Sequence, residues 1–150
     1  MTIYLGADHR GFNLKERLKR ELVNNAYDVV DCGAPKLVPD DDYPDYASAV
    51  AAKVSAAPDM GRGIVICGSG FGVDIVANKF NGVRAGLAIS SDHAYQGRHD
   101  DGLNVLALAA DFVDEATAIN IVKVFLTTPF AKEERYARRL QKIERIELGK

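Results

Sequence analysis

The run Cys67-Gly68-Ser69-Gly70-Phe71-Gly72 sets a thiol, a hydroxyl and three glycines between an apolar stretch, Gly63 to Cys67, and a helix-like one, Gly72 to Phe80. Glycines at alternate positions let successive backbone N–H groups converge on one anion, and the positive end of the following helix reinforces them. The anion would be a phosphate or an enolate oxygen. A dinucleotide fingerprint requires a glycine where Val73 stands, and an ATPase phosphate loop requires Gly-Lys-Ser or Gly-Lys-Thr, so neither nucleotide motif is met. Cys67 ends its strand where amides and macrodipole favour thiolate over thiol, which suits a base or nucleophile. An inert buried cysteine and a ligand-free glycine turn fit the same residues.

Other reactive types are scattered along the chain. His9, His93 and His99 each adjoin aspartates, as Asp8-His9, Asp92-His93 and His99-Asp100-Asp101. A metal site would have to borrow ligands from three separate segments, which is not how tightly spaced ligand sets look. Arg135 and Arg139 stand four apart and so share a helix face, while Tyr136, Leu140 and Ile143 form the apolar stripe. Two guanidiniums in a fork make a phosphate clamp, and a solvated basic face is the alternative, since Lys132 to Arg145 carries six basic and three acidic residues. Cys32 belongs to the core or to the edge of the site.

What positions these groups is an alternation of short apolar runs and helical patterns. Thr2 to Gly6, Tyr27 to Cys32, Gly63 to Cys67, Val83 to Ile89 and Leu103 to Ala109 read as five strands. Leu14, Leu18 and Leu22 mark one helix, Tyr46 to Val54 and Gly72 to Phe80 two more, Ala116 to Phe125 a fourth after the cap Asp114, and Lys132 to Leu148 the last. Right-handed crossovers then give a mainly parallel sheet with helices on both faces. Ligands of such sheets lie at the carboxyl ends of the strands. There stand Asp8-His9-Arg10-Gly11, the acidic loop Asp40-Asp41-Asp42-Tyr43-Pro44-Asp45, the glycine run, and Ser90-Ser91-Asp92-His93.

The 150 residues suit one domain, and 47% apolar with 27% charged is a globular composition. Nineteen Lys and Arg against 21 Asp and Glu leave a net charge of −2, which disfavours nucleic acid as a partner. Two distant cysteines offer no disulfide framework and fit a reducing cytoplasm. No apolar run approaches a membrane span, so a soluble, unexported protein is expected.

The segments Gly6-Ala7-Asp8-His9-Arg10-Gly11-Phe12, Asp31-Cys32-Gly33, Asp42-Tyr43-Pro44, Ile64 through Gly72 and Ala77-Asn78-Lys79 together resemble the ribose-5-phosphate isomerase B family, which includes galactose-6-phosphate and allose-6-phosphate isomerases. The resemblance runs on through Asn104-Val105-Leu106-Ala107 to Arg135 and Arg139. It implies a three-layer α/β/α, Rossmann-like sandwich and a metal-independent aldose-ketose isomerase with no cofactor. It also implies a homodimer or dimer of dimers whose active sites are shared across an interface, the C-terminal helix, about 131–148, packing on or reaching into the partner. By the same resemblance Cys67 is the base that moves a proton between C1 and C2 through a cis-enediolate, and Ser69 passes a proton between the sugar oxygens. The N–H groups of Gly68, Gly70 and Gly72 hold the enediolate, Asp8 binds hydroxyls and Tyr43 lines the pocket. His9, Arg135 and Arg139 take the phosphate. Where some relatives carry a glutamate as base, this chain has Val73.

One stretch departs from the family pattern, His-Asn-Asp-x-Asn, whose histidine opens the furanose ring. This chain reads Arg98-His99-Asp100-Asp101-Gly102-Leu103-Asn104, which puts Asp100 at the histidine's place. His99 or Asp100 would then substitute, and Asp101 adds a carboxylate that would repel a nearby phosphate. Ribose 5-phosphate and ribulose 5-phosphate are the family default, and the altered loop points to a different tetrose, pentose or hexose phosphate. A catalytically weak phosphosugar-binding protein and a metal-dependent hydrolase are the competing readings.

Overall fold

Residue-by-residue alternation in the strands decides the layering. In the computed structural model, which describes residues 1–149, five strands form one sheet in the order β2-β1-β3-β5-β4. They are β1 (Thr2–Ala7), β2 (Asp28–Asp31), β3 (Gly61–Cys67), β4 (Ala85–Leu87) and β5 (Val105–Ala109), and every pairing is parallel. Ile3, Leu5, Ile64, Ile66, Leu106 and Leu108 point to one face and join a single buried core. Val65, Cys67, Val105 and Ala107, the intervening positions, point to the other. Side chains of a strand alternate between faces, so each strand feeds two cores.

The helices sort onto those faces by their apolar stripes. On the first face lie α1 (Phe12–Asn24), through Leu14, Leu18 and Leu22, and α5 (Glu115–Thr127), through Ala118, Ile121, Val122 and Phe125. Asp114 caps α5, its carboxylate accepting from Thr117 N at 2.7 Å. On the second face lie α2 (Tyr43–Ala56), through Ala47, Val50, Ala51 and Val54, and α3 (Phe71–Ala77), through Val73 and Ala77. The outcome is the expected three-layer α/β/α sandwich, with the sheet wholly rather than mainly parallel.

The largest departure from expectation is α4 (Ser91–Asp100), a ten-residue helix where Ser90 to His93 and Arg98 to Asn104 read as loops. Ser90 caps it, accepting from His93 N at 3.1 Å. Its buried face is only Ala94 and Arg98, and Gly97 leaves room that Leu103 fills, so no apolar stripe advertises it. Starting at the carboxyl end of β4 and ending before β5, α4 carries its last turn about 15 Å to the opposite edge of the sheet.

The last helix, α6 (Glu134–Glu147), begins two residues later than expected and buries only Tyr136. It crosses that same amino-terminal edge. Ala131 N bonds to His99 O at 3.0 Å, and Glu147 accepts from Gly82 N at 3.0 Å. No helix is long and apolar enough to cross a membrane.

Candidate active site

At the carboxyl edge, β3 ends in Cys67, whose Sγ accepts a hydrogen bond from Gly70 N at 3.1 Å. The turn that makes this possible has Gly70 at φ +77°, a left-handed conformation that glycine adopts without strain. Ala110 N donates to Cys67 O at 2.9 Å and Asp111 N to Gly68 O at 3.0 Å, so the end of β5 pins the loop from below. Gly72 presses on the ring of Tyr43, where a Cβ would stand 2.6 Å from Cζ. That contact joins the glycine loop to the first turn of α2, after the N-cap position Asp42. Ser69 is half-buried at the rim, and Val73 is sealed in the core beside Cys67.

One strand over, Asp8 and His9 follow β1. Asp8 is 5% exposed and its Oδ1 accepts from Gly11 N at 2.9 Å, which fixes the carboxylate at the start of α1. His9 is held by Asp41, whose Oδ1 accepts from His9 N at 2.7 Å and lies 2.8 Å from Nδ1. That hydrogen bond raises the imidazole pKa above its ordinary value against the opposing pull of burial, and the charge of Asp8 adds to it. Burial works to raise the Asp41 carboxyl, but the bonds from His9 and Tyr46 outweigh it and leave it below the usual range. Arg10 pairs with Asp111 over Gly68. Cys32 sits half-buried against the same core, its thiol pushed up by burial and then by Asp31.

The remaining candidate residues lie at the other edge. His99 Nδ1 is 2.6 Å from Asp100 Oδ1, and the imidazole stacks on Tyr95 at 5.0 Å and meets the edge of Tyr136 at 6.1 Å. Hydrogen bonding to His99 first, and then to Tyr136, holds the Asp100 carboxyl low. Arg135 Nη2 donates to Tyr136 Oη at 2.7 Å, and the Arg135 and Arg139 guanidiniums stand 4.5 and 5.8 Å from the Tyr136 ring. Asp101 is exposed just beyond the helix. The fold therefore assembles Asp8, His9, Tyr43, Cys67, Ser69 and the glycines in one group, and His99, Asp100, Arg135 and Arg139 in another. Within one chain α4 keeps the two apart.

Asp41 and Tyr136 are the members that sequence reasoning missed as site residues. Asp41 was one of three consecutive aspartates, 32 positions from its histidine, and Tyr136 read as part of an apolar stripe. Among the described residues no three His, Cys, Asp or Glu converge as metal ligands would.

A wholly parallel α/β/α sandwich with a cysteine-bearing glycine loop at its strand ends defines a class of small-molecule enzymes that bind at the sheet's carboxyl edge. The family model described as ribose/galactose isomerase matches residues 3–143. The chain belongs to that family and is an aldose-ketose isomerase of the ribose-5-phosphate isomerase B kind. It is 41% identical over 146 residues to the probable ribose-5-phosphate isomerase B of Mycoplasma genitalium, covering 97% of this chain and 95% of that protein. To the ribose-5-phosphate isomerase B of Mycobacterium tuberculosis it is 39% identical over 140 residues, 93% of this chain and 86% of that one. The crystal structure of the Mycoplasma genitalium enzyme with bound ribulose-5-phosphate superposes with a TM-score of 0.96 at 40% identity, over 99% and 97% of the two chains. The Clostridium thermocellum enzyme gives 0.94 at 38% identity, over 99% of each.

Proposed function

We propose that the chain is one isomerase domain that interconverts ribose 5-phosphate and ribulose 5-phosphate through a cis-enediolate, at a site built from two copies of the chain. The observation that carries this is Cys67, fixed at the mouth of the glycine loop with Gly70 N–H on its sulfur and no carboxylate at position 73 to compete. The Cys67 thiolate takes the proton from C2 of the open-chain aldose and returns it to C1, while Ser69 moves a proton between O1 and O2. The N–H groups of Gly68 and Gly72 hold the developing oxyanion, and that of Gly70 stays with the sulfur. Asp8 takes hydroxyls, and Tyr43 walls the pocket.

The phosphate rests on His9, whose bond to Asp41 favours the cationic form of the ring, and on Arg135 and Arg139 of a second copy. The separation of the two residue groups supports this sharing, because α4 and α6 display theirs at the edge away from Cys67. The homodimer is the smallest assembly that completes the site, and a dimer of dimers repeats it. For a closed furanose, the His99–Asp100 pair supplies the acid and base that open the ring, replacing the family's histidine one position on.

The altered 98–104 loop favours a second substrate reading, a 4-phosphorylated tetrose, which cannot close a furanose and needs no ring-opening histidine, or another phosphosugar whose hydroxyls pair with Asp100 or Asp101. A panel of tetrose, pentose and hexose phosphates assayed for aldose-ketose conversion separates the two. Solvent deuterium entering C1 or C2 marks isomerisation, and a saturable shift without exchange would leave only a binding protein. If ribose 5-phosphate turns over well but His99→Ala leaves its rate unchanged, the ring-opening role given to the pair is wrong.

A further inference from the structure

The amino-terminal edge of the sheet holds a second concentration of charge that the isomerase chemistry does not use. A cavity of about 890 Å³ opens there between the first residues of β3, the approach to β4, the last turn of α4 and the segment after α5. Three arginines from separate parts of the chain line it, Arg62 in β3, Arg84 just before β4 and Arg98 in α4, with Lys132 as a fourth cation. Asp59 is the one carboxylate among the described lining residues.

Backbone bonds, not carboxylates, hold the guanidiniums in place. Arg62 Nη1 donates to Gly61 O at 2.8 Å, Arg84 Nε to Gly102 O at 3.0 Å, and Arg98 Nη1 to Leu103 O at 2.8 Å. Arg98 is 7% exposed, and its Nε has no partner among the described residues. A buried cation with an unmade hydrogen bond is costly unless an opposite charge approaches. Burial, and then the fields of Arg62 and Arg84, push Arg98 down to about 10. Burial lowers Arg62 and Arg84 as well, and Arg84 adds to the effect on Arg62. Like charges fixed this way repel one another and attract an anion into the cavity.

We propose that this cavity is a binding site for a compact polyphosphate, either free pyrophosphate or the phosphate chain of a nucleotide, separate from the site at Cys67. Four converging cations exceed what a single phosphate monoester needs, and planar guanidiniums from different elements can each take a different phosphoryl oxygen. The inference does not depend on the isomerase reading, and its test reads binding rather than turnover.

The test is calorimetric titration of the full chain with pyrophosphate, and in parallel with adenosine triphosphate, both without divalent metal. Wild type should bind pyrophosphate saturably. Arg62→Gln should weaken it by about tenfold or more, the loss of one charge-assisted contact. Arg20→Gln, exposed on α1 and outside both clusters, should leave it within about twofold, and Arg139→Ala reports any binding at the isomerase's own clamp. Should Arg62→Gln shift the melting curve, the exposed rim variant Lys132→Gln carries the same comparison. Equal affinity for the two probes identifies the phosphate chain itself as the ligand, and tighter binding of the triphosphate identifies a nucleotide. The proposal is overturned by an absence of saturable binding, by loss of binding in Arg139→Ala with none in Arg62→Gln, or by an oligomer that Arg62→Gln dissociates, which would make the cavity an interface between copies.

Discussion

A single carboxylate, Asp41, sets both the orientation and the charge of His9. It accepts from the backbone N–H as well as facing the ring, so the backbone bond fixes the carboxylate at the place where the imidazole meets it. Because the His9 pKa in the folded chain lies above its ordinary 6.5, the pair's contribution to stability is complete below 6.5 and is lost as pH rises through the raised value. Asp41 has the opposite sign, its contribution being present above the ordinary carboxylate value and lost as pH falls through the lowered one. Nuclear magnetic resonance titration should find His9 titrating above 6.5, and Asp41→Asn should bring it back down. In that variant the alkaline rise in KM for the sugar phosphate should begin at lower pH. Cys67→Ala should reduce turnover by about 10² to 10⁴ while phosphosugar binding persists, since it removes a base and little volume. Near-normal turnover would place the base elsewhere. At this scale the grouping of Cys67 with the glycine loop, and of Asp8 with His9, was legible because these residues are also neighbours in sequence. Asp41 was not, because nothing in the order of residues says which of three aspartates meets a histidine on another strand's end.

Among elements, the glycine loop and α4 behave in contrasting ways. The loop's geometry is local: Gly70 must be left-handed and Gly72 must admit Tyr43, and both demands were visible as glycines. Gly70→Ala should cost about 1 to 2 kcal/mol in chemical denaturation from the backbone conformation alone. More is expected beyond that, because the added Cβ would meet Leu87 Cδ1 at 2.5 Å. The strands and α1 were equally legible, since Leu14, Leu18 and Leu22 repeat on one face and strand residues alternate between two cores. α4 was hidden because its inward face is an alanine and an arginine, and an arginine at a core position does not register as apolar periodicity. α6 carries the proposed clamp on a mostly exposed helix. Arg135→Ala and Arg139→Ala should each raise KM by about tenfold or more in a salt-sensitive way while changing the melting temperature little, because both side chains lie outside the core.

For the whole molecule, the proposed sharing of the site between two copies is tested by complementation. Cys67→Ala and Arg139→Ala chains should each be impaired alone. When they are mixed and allowed to exchange, a mixed dimer has one site carrying both defects and one carrying neither, so an equal mixture should recover up to about a quarter of wild-type activity. No recovery, with exchange verified by mass, would put both groups in one chain's site.

The two outer strands set how copies of this chain can meet at all. β2 is four residues long and β4 three, and an edge that short exposes few unpaired backbone groups to a passing strand. β2 also begins and ends in aspartates, with Asp28 accepting from Thr2 Oγ1 at 2.7 Å and Asp31 held by Lys15 and Lys19 at 2.6 and 2.7 Å. Another copy adding itself there would have to bring its backbone past those carboxylates. Edge-to-edge pairing of sheets is thus disfavoured at both margins, most at β2, and association is directed to the helical surfaces and the rims.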